Sequence, residues 1–269
     1  GADGRVHVVF DDLGQDELWY AVRDASGAWD AERIPASGRA FSGSLVLDPA
    51  DVPHVAFTVE TSRLETHLGY AVRTGGAWSS EIVAAGDRVG RYPSFAIDVL
   101  GGQHIVHVDA TSQRLLHQYR AADAGGWAQQ EIGDHVDGGS AIAADRTGGV
   151  HVAYFTSAPE RLRYLFRSRD GDWSLEPVDG ASNARWNMDL VVDPYARVHL
   201  LFDSDTPELY HALRSASGAW AIDVVASTGF SLSFLGGATM AVDARGDLHV
   251  SHYDERSREL RHVERRVCP

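Results

Sequence analysis

Short apolar runs, some alternating and some continuous, recur along the whole chain between clusters of Gly, Asp, Ser and Pro. Runs rich in Val, Ile, Leu and aromatics, broken by such turns, predict an antiparallel meander. No stretch holds a helical period with caps at its ends. A histidine opens one run in each repeat: His7, His54, His104, His151, His199 and His249. The intervals of 47 to 50 residues match one four-stranded propeller blade.

Four strands make up the repeat. Strand A is an apolar run closed by aspartate, as in Leu45–Asp48, Phe95–Asp98, Ile142–Asp145, Leu190–Asp193 and Met240–Asp243. Strand B starts with the histidine. Strand C ends in Arg23, Arg73, Arg120, Arg167, Arg214 or Arg265, and strand D starts with Trp29, Trp78, Trp127, Trp173 or Trp220. B and C occur six times, A and D five times. The predicted fold is therefore all-β: a six-bladed β-propeller of four-stranded antiparallel blades with an incomplete seam, strand A of blade 1 and strand D of blade 6 being absent. A single domain spans residues 1–269, with blades at 1–37, 38–86, 87–134, 135–181, 182–228 and 229–269. An open seam exposes strand edges, so a missing N-terminal segment or a second chain is expected to complete it. The single cysteine, Cys268, has no internal disulfide partner.

The C–D turns resemble the Asp-box turn of the sialidase-like superfamily, and the whole chain resembles the repeat propellers of exported bacterial proteins. Ser168-Arg169-Asp170-Gly171-Asp172-Trp173 comes nearest, one residue short of the Ser-x-Asp-x-Gly-x-x-Trp spacing. Ser26-Gly27-Ala28-Trp29 and Ser217-Gly218-Ala219-Trp220 lack the aspartate. The resemblance implies a structural turn and carries over no catalytic residue. It also implies a location outside a bacterial cell, secreted or on the envelope.

Composition narrows the chemistry. A net charge of −14 argues against nucleic acid and anionic membranes, and no run is long and apolar enough for membrane insertion. All 24 basic residues are arginine, which removes lysine Schiff-base and P-loop chemistry. The recurrent Asp, His, Arg and Trp have a structural explanation, since a carboxylate can satisfy both an imidazole and an indole N–H. The same set repeated between blades would also suit a multivalent lectin, with Trp stacking on a sugar and Asp and Arg bonding its hydroxyls.

Individual function is expected where the repeats differ. The D–A loops carry Arg39 and Phe41, then Arg88, Arg91 and Tyr92. His135 and Asp137 follow, then Arg185, Trp186 and Asn187, and finally Phe230 and Phe234. Arginines and aromatics gathered in a funnel would hold an anionic or sugar ligand. His107 and His252 replace the aromatic at the fourth position of strand B, and His117, His211 and His262 replace the tyrosine of strand C. They stand as buried hydrogen-bonding groups in the place of the aromatic, or as general bases or metal ligands. No cofactor is expected. Calcium is the one ion the Asp-rich B–C loops would suit, without an EF-hand pattern to support it.

Two readings lead. The first is a non-catalytic carbohydrate-binding propeller using inter-blade or central-funnel sites, with Arg39, Arg91, Asp137, Arg185, Trp186, Asn187, His107 and His252 as ligand contacts. The second is a lyase or hydrolase on an anionic glycan, in which Arg91 and Arg185 neutralise a carboxylate and His135 or Tyr92 moves a proton. A protein-interaction scaffold is the third.

Overall fold

The computed structural model describes the chain except residues 2, 158, 182–183, 216, 228–237, 255 and 267–269, and except the side chains of Glu160, Arg185 and Trp186. The described residues form strands and turns, with no helix able to cross a membrane. Phe230, Phe234, Glu255 and Cys268 lie outside the described residues.

Six antiparallel sheets follow one another as the blades of a six-bladed β-propeller. Blade 1 has three strands, β1 (Val6–Asp12), β2 (Glu17–Arg23) and β3 (Trp29–Arg33). Blade 2 has four: β4 (Arg39–Leu47), β5 (Pro53–Ser62), β6 (Glu65–Thr74) and β7 (Ala77–Ala84). Blade 3 comprises β8 (Arg91–Ile97), β9 (Gln103–Asp109), β10 (Arg114–Arg120) and β11 (Ala128–Gly133). Blade 4 comprises β12 (Val136–Ala144), β13 (Val150–Ser157), β14 (Glu160–Arg167) and β15 (Trp173–Pro177). Blade 5 comprises β16 (Ala184–Val192), β17 (Val198–Ser204), β18 (Glu208–Arg214) and β19 (Trp220–Ser227). Blade 6 has β20 (Thr239–Val242), β21 (Leu248–Asp254) and β22 (Glu259–Arg265). Strands A and D are thus the ones missing from the described parts of blades 1 and 6, as the repeat predicts.

The chain divides into two compact units: Gly1–Ile97 with Gly101–Asp134, and Asp98–Leu100 with His135–Pro269. Each holds three blades, apart from the A–B turn of blade 3, which falls in the second.

Both units build their cores by one rule. Five residues before the closing arginine, strand C carries a leucine that packs into the next blade. In the first unit Leu18, Tyr20 and Ile34 of blade 1 cluster with Val55, Phe57 and Val59 of blade 2. Leu68 and Tyr70 of blade 2 then cluster with Phe95 and Ile105 of blade 3. In the second unit Leu162 and Tyr164 pack on Leu190, Leu200 and Phe202, and Leu209 packs on Met240, Leu248 and Val250. Each such side chain contributes roughly 1.5–3 kcal/mol through burial. Alternation explains the pattern, since residues two apart on a strand share a face.

Strand A begins irregularly. Its register shifts between Phe41 and Ser44, between Arg91 and Ser94, between Val136 and Ser140, and between Ala184 and Met188. These bulges re-aim the variable D–A residues where the strand begins.

Candidate functional site

Two polar devices recur in the blades. The first joins strands A, B and C. In blade 4, Asp145 accepts a hydrogen bond from His151 Nε2 at 3.1 Å, and His151 Nδ1 lies 2.6 Å from the Tyr164 hydroxyl. In blade 5, Asp193 accepts from His199 Nε2 at 3.2 Å and from Arg197 Nε at 2.6 Å, with His199 Nδ1 3.0 Å from His211 Nε2. A carboxylate only accepts, so the neutral His199 carries its proton on Nε2 and receives one from His211. That leaves the His211 Nδ1 lone pair without a partner. Where His replaces Tyr, the link survives: His104–His117 is 3.0 Å and His249–His262 is 3.2 Å. In blade 2 the link to Asp48 stretches to 3.6 Å, too long for a hydrogen bond. Burial lowers the pKa of His54, His151 and His199, and takes His211 down to about 4. These imidazoles are neutral struts.

The second device crosses between blades, and it corrects the sequence expectation that one carboxylate serves both His and Trp. The indole turns instead to a glutamate three residues after the preceding blade's tryptophan. Glu32 of blade 1 accepts from Arg73 Nε and, at 3.0 Å, from Trp78 Nε1 in blade 2. Glu81 accepts from Arg120 Nη1 at 2.7 Å and Trp127 Nε1 at 3.1 Å in blade 3. Glu176 takes Arg214 through Nε and Nη2, at 2.6 and 3.0 Å, and Trp220 Nε1 at 3.2 Å. Asp223 continues the series on Arg265 at 2.8 Å. Trp-x-x-Glu is visible in the sequence, but its meaning is not, because the partners lie about forty residues on.

These clasps differ in how fully they are engaged. Arg214 grips Glu176 with two nitrogens. Arg120 gives its other terminal nitrogen to Gln103 at 2.8 Å and lies over the Trp127 ring at 4.3 Å. At Arg73 only Nε is engaged among the described residues, and Glu32 Oε2 accepts nothing. About a third of each of these two side chains is exposed, 32% and 35%.

The predicted funnel residues fall in both units. In the first, Arg39 is exposed and held by Asp16 at 2.8 Å and Glu60 at 3.1 Å, with its guanidinium 5.1 Å over Phe41. Arg91 lies 5.3 Å over the exposed Tyr92 ring. Tyr92 adopts φ 51°, a left-handed conformation costly for an aromatic residue. His107 is fully buried. Its Nδ1 accepts from Gly90 N at 3.2 Å, and its Nε2 meets Gln118 at 3.1 Å. Burial lowers its pKa to about 4.

In the second unit His135 is exposed at φ 52° and accepts from Ser157 N through its carbonyl at 2.9 Å. Arg88, at φ 57°, does the same for Ala110 at 3.1 Å. The two are the same turn position in different blades. Asp137 is exposed. Asn187 bonds the buried Asp203 through its side chain at 2.8 Å and its backbone at 3.2 Å. Arg185 and Trp186 lie on β16. His252 is buried, its Nδ1 without a partner. Among the described residues no three His, Cys, Asp or Glu converge on a metal-sized centre.

No protein-family model matches the chain, and no curated protein matches it. Solved structures do. Aleuria aurantia lectin, described as a six-bladed β-propeller with a novel fucose recognition mode, aligns with TM-score 0.70 and 14% identity over 98% of this chain and 88% of its own. An ulvan lyase, solved with a GlcA(1-4)Rha3S ligand, aligns with TM-score 0.65 and 10% identity over 98% and 82%. A Dyadobacter fermentans protein of unknown function gives TM-score 0.65 and 12% identity over 92% and 82%. At these identities the likeness is one of fold, and the fold is the six-bladed β-propeller.

Proposed function

We propose that the protein is a non-catalytic carbohydrate-binding propeller whose sugar sites lie at the junctions between consecutive blades. The observation that carries this reading is the open clasp at Glu32, Arg73 and Trp78. There a guanidinium with unengaged terminal nitrogens, a carboxylate oxygen and an indole meet at a half-open surface. Adjacent sugar hydroxyls accept from the guanidinium and donate to the carboxylate, while apolar ring faces lie against aromatic side chains. The junctions at Arg120 and Arg214 repeat the chemistry with fewer free donors, so they rank below it. Two structural neighbours act on carbohydrate by their descriptions, the fucose lectin and the ulvan lyase. The exposed Arg91–Tyr92 pair is the funnel's contribution to the same reading. A glycan receptor of this kind works outside the cell, secreted or on the envelope.

The test is retention of a panel of neutral and anionic glycans, with chain length read in the same sample. Retention without shortening is expected, falling about tenfold in Arg73→Ala. Retention unchanged after Arg73, Arg120 and Arg214 are all replaced by alanine would remove the junctions and leave Arg91 and Tyr92. Shortening would replace the reading with a depolymerase, and no retention at all would end it.

A further inference from the structure

A cleft of about 100 Å³ opens between blades 1 and 2. It is lined by Ala36 and Ser37 of the D–A loop, Phe57 and Val59 of β5, and Ser80 and Ile82 of β7. Residue 69 accounts for it. Opposite the fourth residue of strand B, strand C carries Trp19, Leu116, Arg163, Tyr210 or Arg261, but in blade 2 it carries Gly69. A Cβ there would lie 2.7 Å from Phe57 Cε2 and 2.8 Å from Cζ. The Phe57 ring therefore rests on bare backbone, and no side chain of β6 rises between it and Ile82, the partner of Gly69 on the other side.

The open clasp lies on the same face of blade 2. Arg73 pairs with Trp78, Ala71 with Ser80 and Gly69 with Ile82, and residues two apart on a strand share a face. The cleft thus begins at Ser80, about 7 Å along the strand from Trp78. Its volume is far below the roughly 300–1,000 Å³ of a pocket that encloses a whole small ligand. It is a place for one substituent of a ligand seated beside it.

The lining selects that substituent. Phe57 and Val59 are at most 1% exposed and make an apolar floor, while the hydroxyls of Ser37 and Ser80 stand at an exposed rim. A hydroxyl both donates and accepts, so the rim suits an amide, with its carbonyl and its N–H. A bare methyl group would leave the rim unanswered, and a carboxylate would lose its water against the floor.

We propose that this cleft takes the acetamido group of an N-acetylated sugar, its methyl on Phe57 and Val59 and its amide at Ser37 and Ser80. The sugar ring rests on the carbohydrate reading above; the methyl and the amide rest on the lining alone.

The full chain is titrated with methyl glycosides of glucose, galactose and mannose and with their 2-acetamido counterparts, read by calorimetry and ligand-observed NMR. In at least one pair the acetamido form is expected to bind about tenfold more tightly, from a buried methyl and a rim hydrogen bond. Ser80→Leu fills the cleft from blade 2 and Ser37→Leu from blade 1, and both are expected to erase the preference. Ser79→Leu, on the opposite face of β7, is expected to keep it. Equal affinity within all three pairs, or a preference that survives both filled variants, would overturn the cleft and leave the junction reading, which is measured at Arg73. A preference without Arg73 dependence would keep the cleft and remove the clasp. No binding of any acetamido form at tens of millimolar would overturn the cleft, whereas the junction reading falls only with retention of the glycan panel.

Discussion

His7 shows what one missing side chain does. In five blades an aspartate stands six residues before the strand B histidine; before His7 the residue is Gly1. The turn is otherwise the same: Gly4 N donates to the Gly1 carbonyl as Gly148 N does to Asp145 and Gly246 N to Asp243. His7 Nε2 is accordingly buried without a partner. Burial lowers its pKa. A Cβ on Gly1 would lie 3.0 Å from that nitrogen. Gly1→Asp is therefore expected to raise the His7 pKa, followed by NMR titration of its ring protons; an unmoved pKa would refute the equivalence. Gly90 marks the opposite case, where no side chain fits. Its φ is +77°, and a Cβ would lie 2.3 Å from the backbone nitrogen of Leu68. Gly90→Ala is expected to cost about 3 kcal/mol or more in urea unfolding, because backbone rather than a movable side chain must give way.

At the scale of the strand, position decides what a leucine is worth. Leu18, Leu68, Leu115, Leu162 and Leu209 all stand five residues before their arginine and are at most 1% exposed. Leu260 stands at the same place in β22 and is 77% exposed. Leu162→Ala is expected to cost about 2–5 kcal/mol and Leu260→Ala close to nothing, both read from chemical denaturation. Strands of this kind are legible in sequence because a period of two and a turn every few residues leave few alternatives. The histidine struts were legible as well, since Asp, His and Tyr lie within one blade and within about twenty residues. The clasp was not. Its acid sits on the preceding blade, Gln130 breaks the series of Glu32, Glu81 and Glu176, and Asp223 continues it with a shorter side chain. The backbone at His135 was not legible either, because a left-handed turn position, shared with Arg88, leaves no mark in residue type.

Over the whole molecule the buried imidazoles add up to a pH dependence. His54, His107, His151, His199 and His211 are buried with pKa lowered by burial, His107 and His211 to about 4. A histidine whose folded pKa is depressed stabilises fully above its unfolded value of about 6.5, and that stability is lost as pH falls. Unfolding below pH 6.5 must therefore take up protons, down to the depressed pKa of each ring. Urea midpoints are expected to fall steeply over that window, and a flat profile would mean these rings are charged in the fold. Asp145 and Asp193 extend the loss further down. Burial raises them, but hydrogen bonds from Thr147, Gly149 and His151 to the first, and from Arg197 and His199 to the second, leave both below the usual aspartate range.

Because every clasp reaches forward along the chain, a blade has a front and a back. Where a clasp forms, the blade hands an acid to its successor, as blades 1, 2, 4 and 5 do, like hook and eye. Parts of that kind can be duplicated or spliced in series without redesigning any joint, and a fault at one joint stays between two neighbours. How many blades the protein has is then not written in any single fastening. What each joint does fix is the order of assembly, since a blade turned end for end would meet acid with acid.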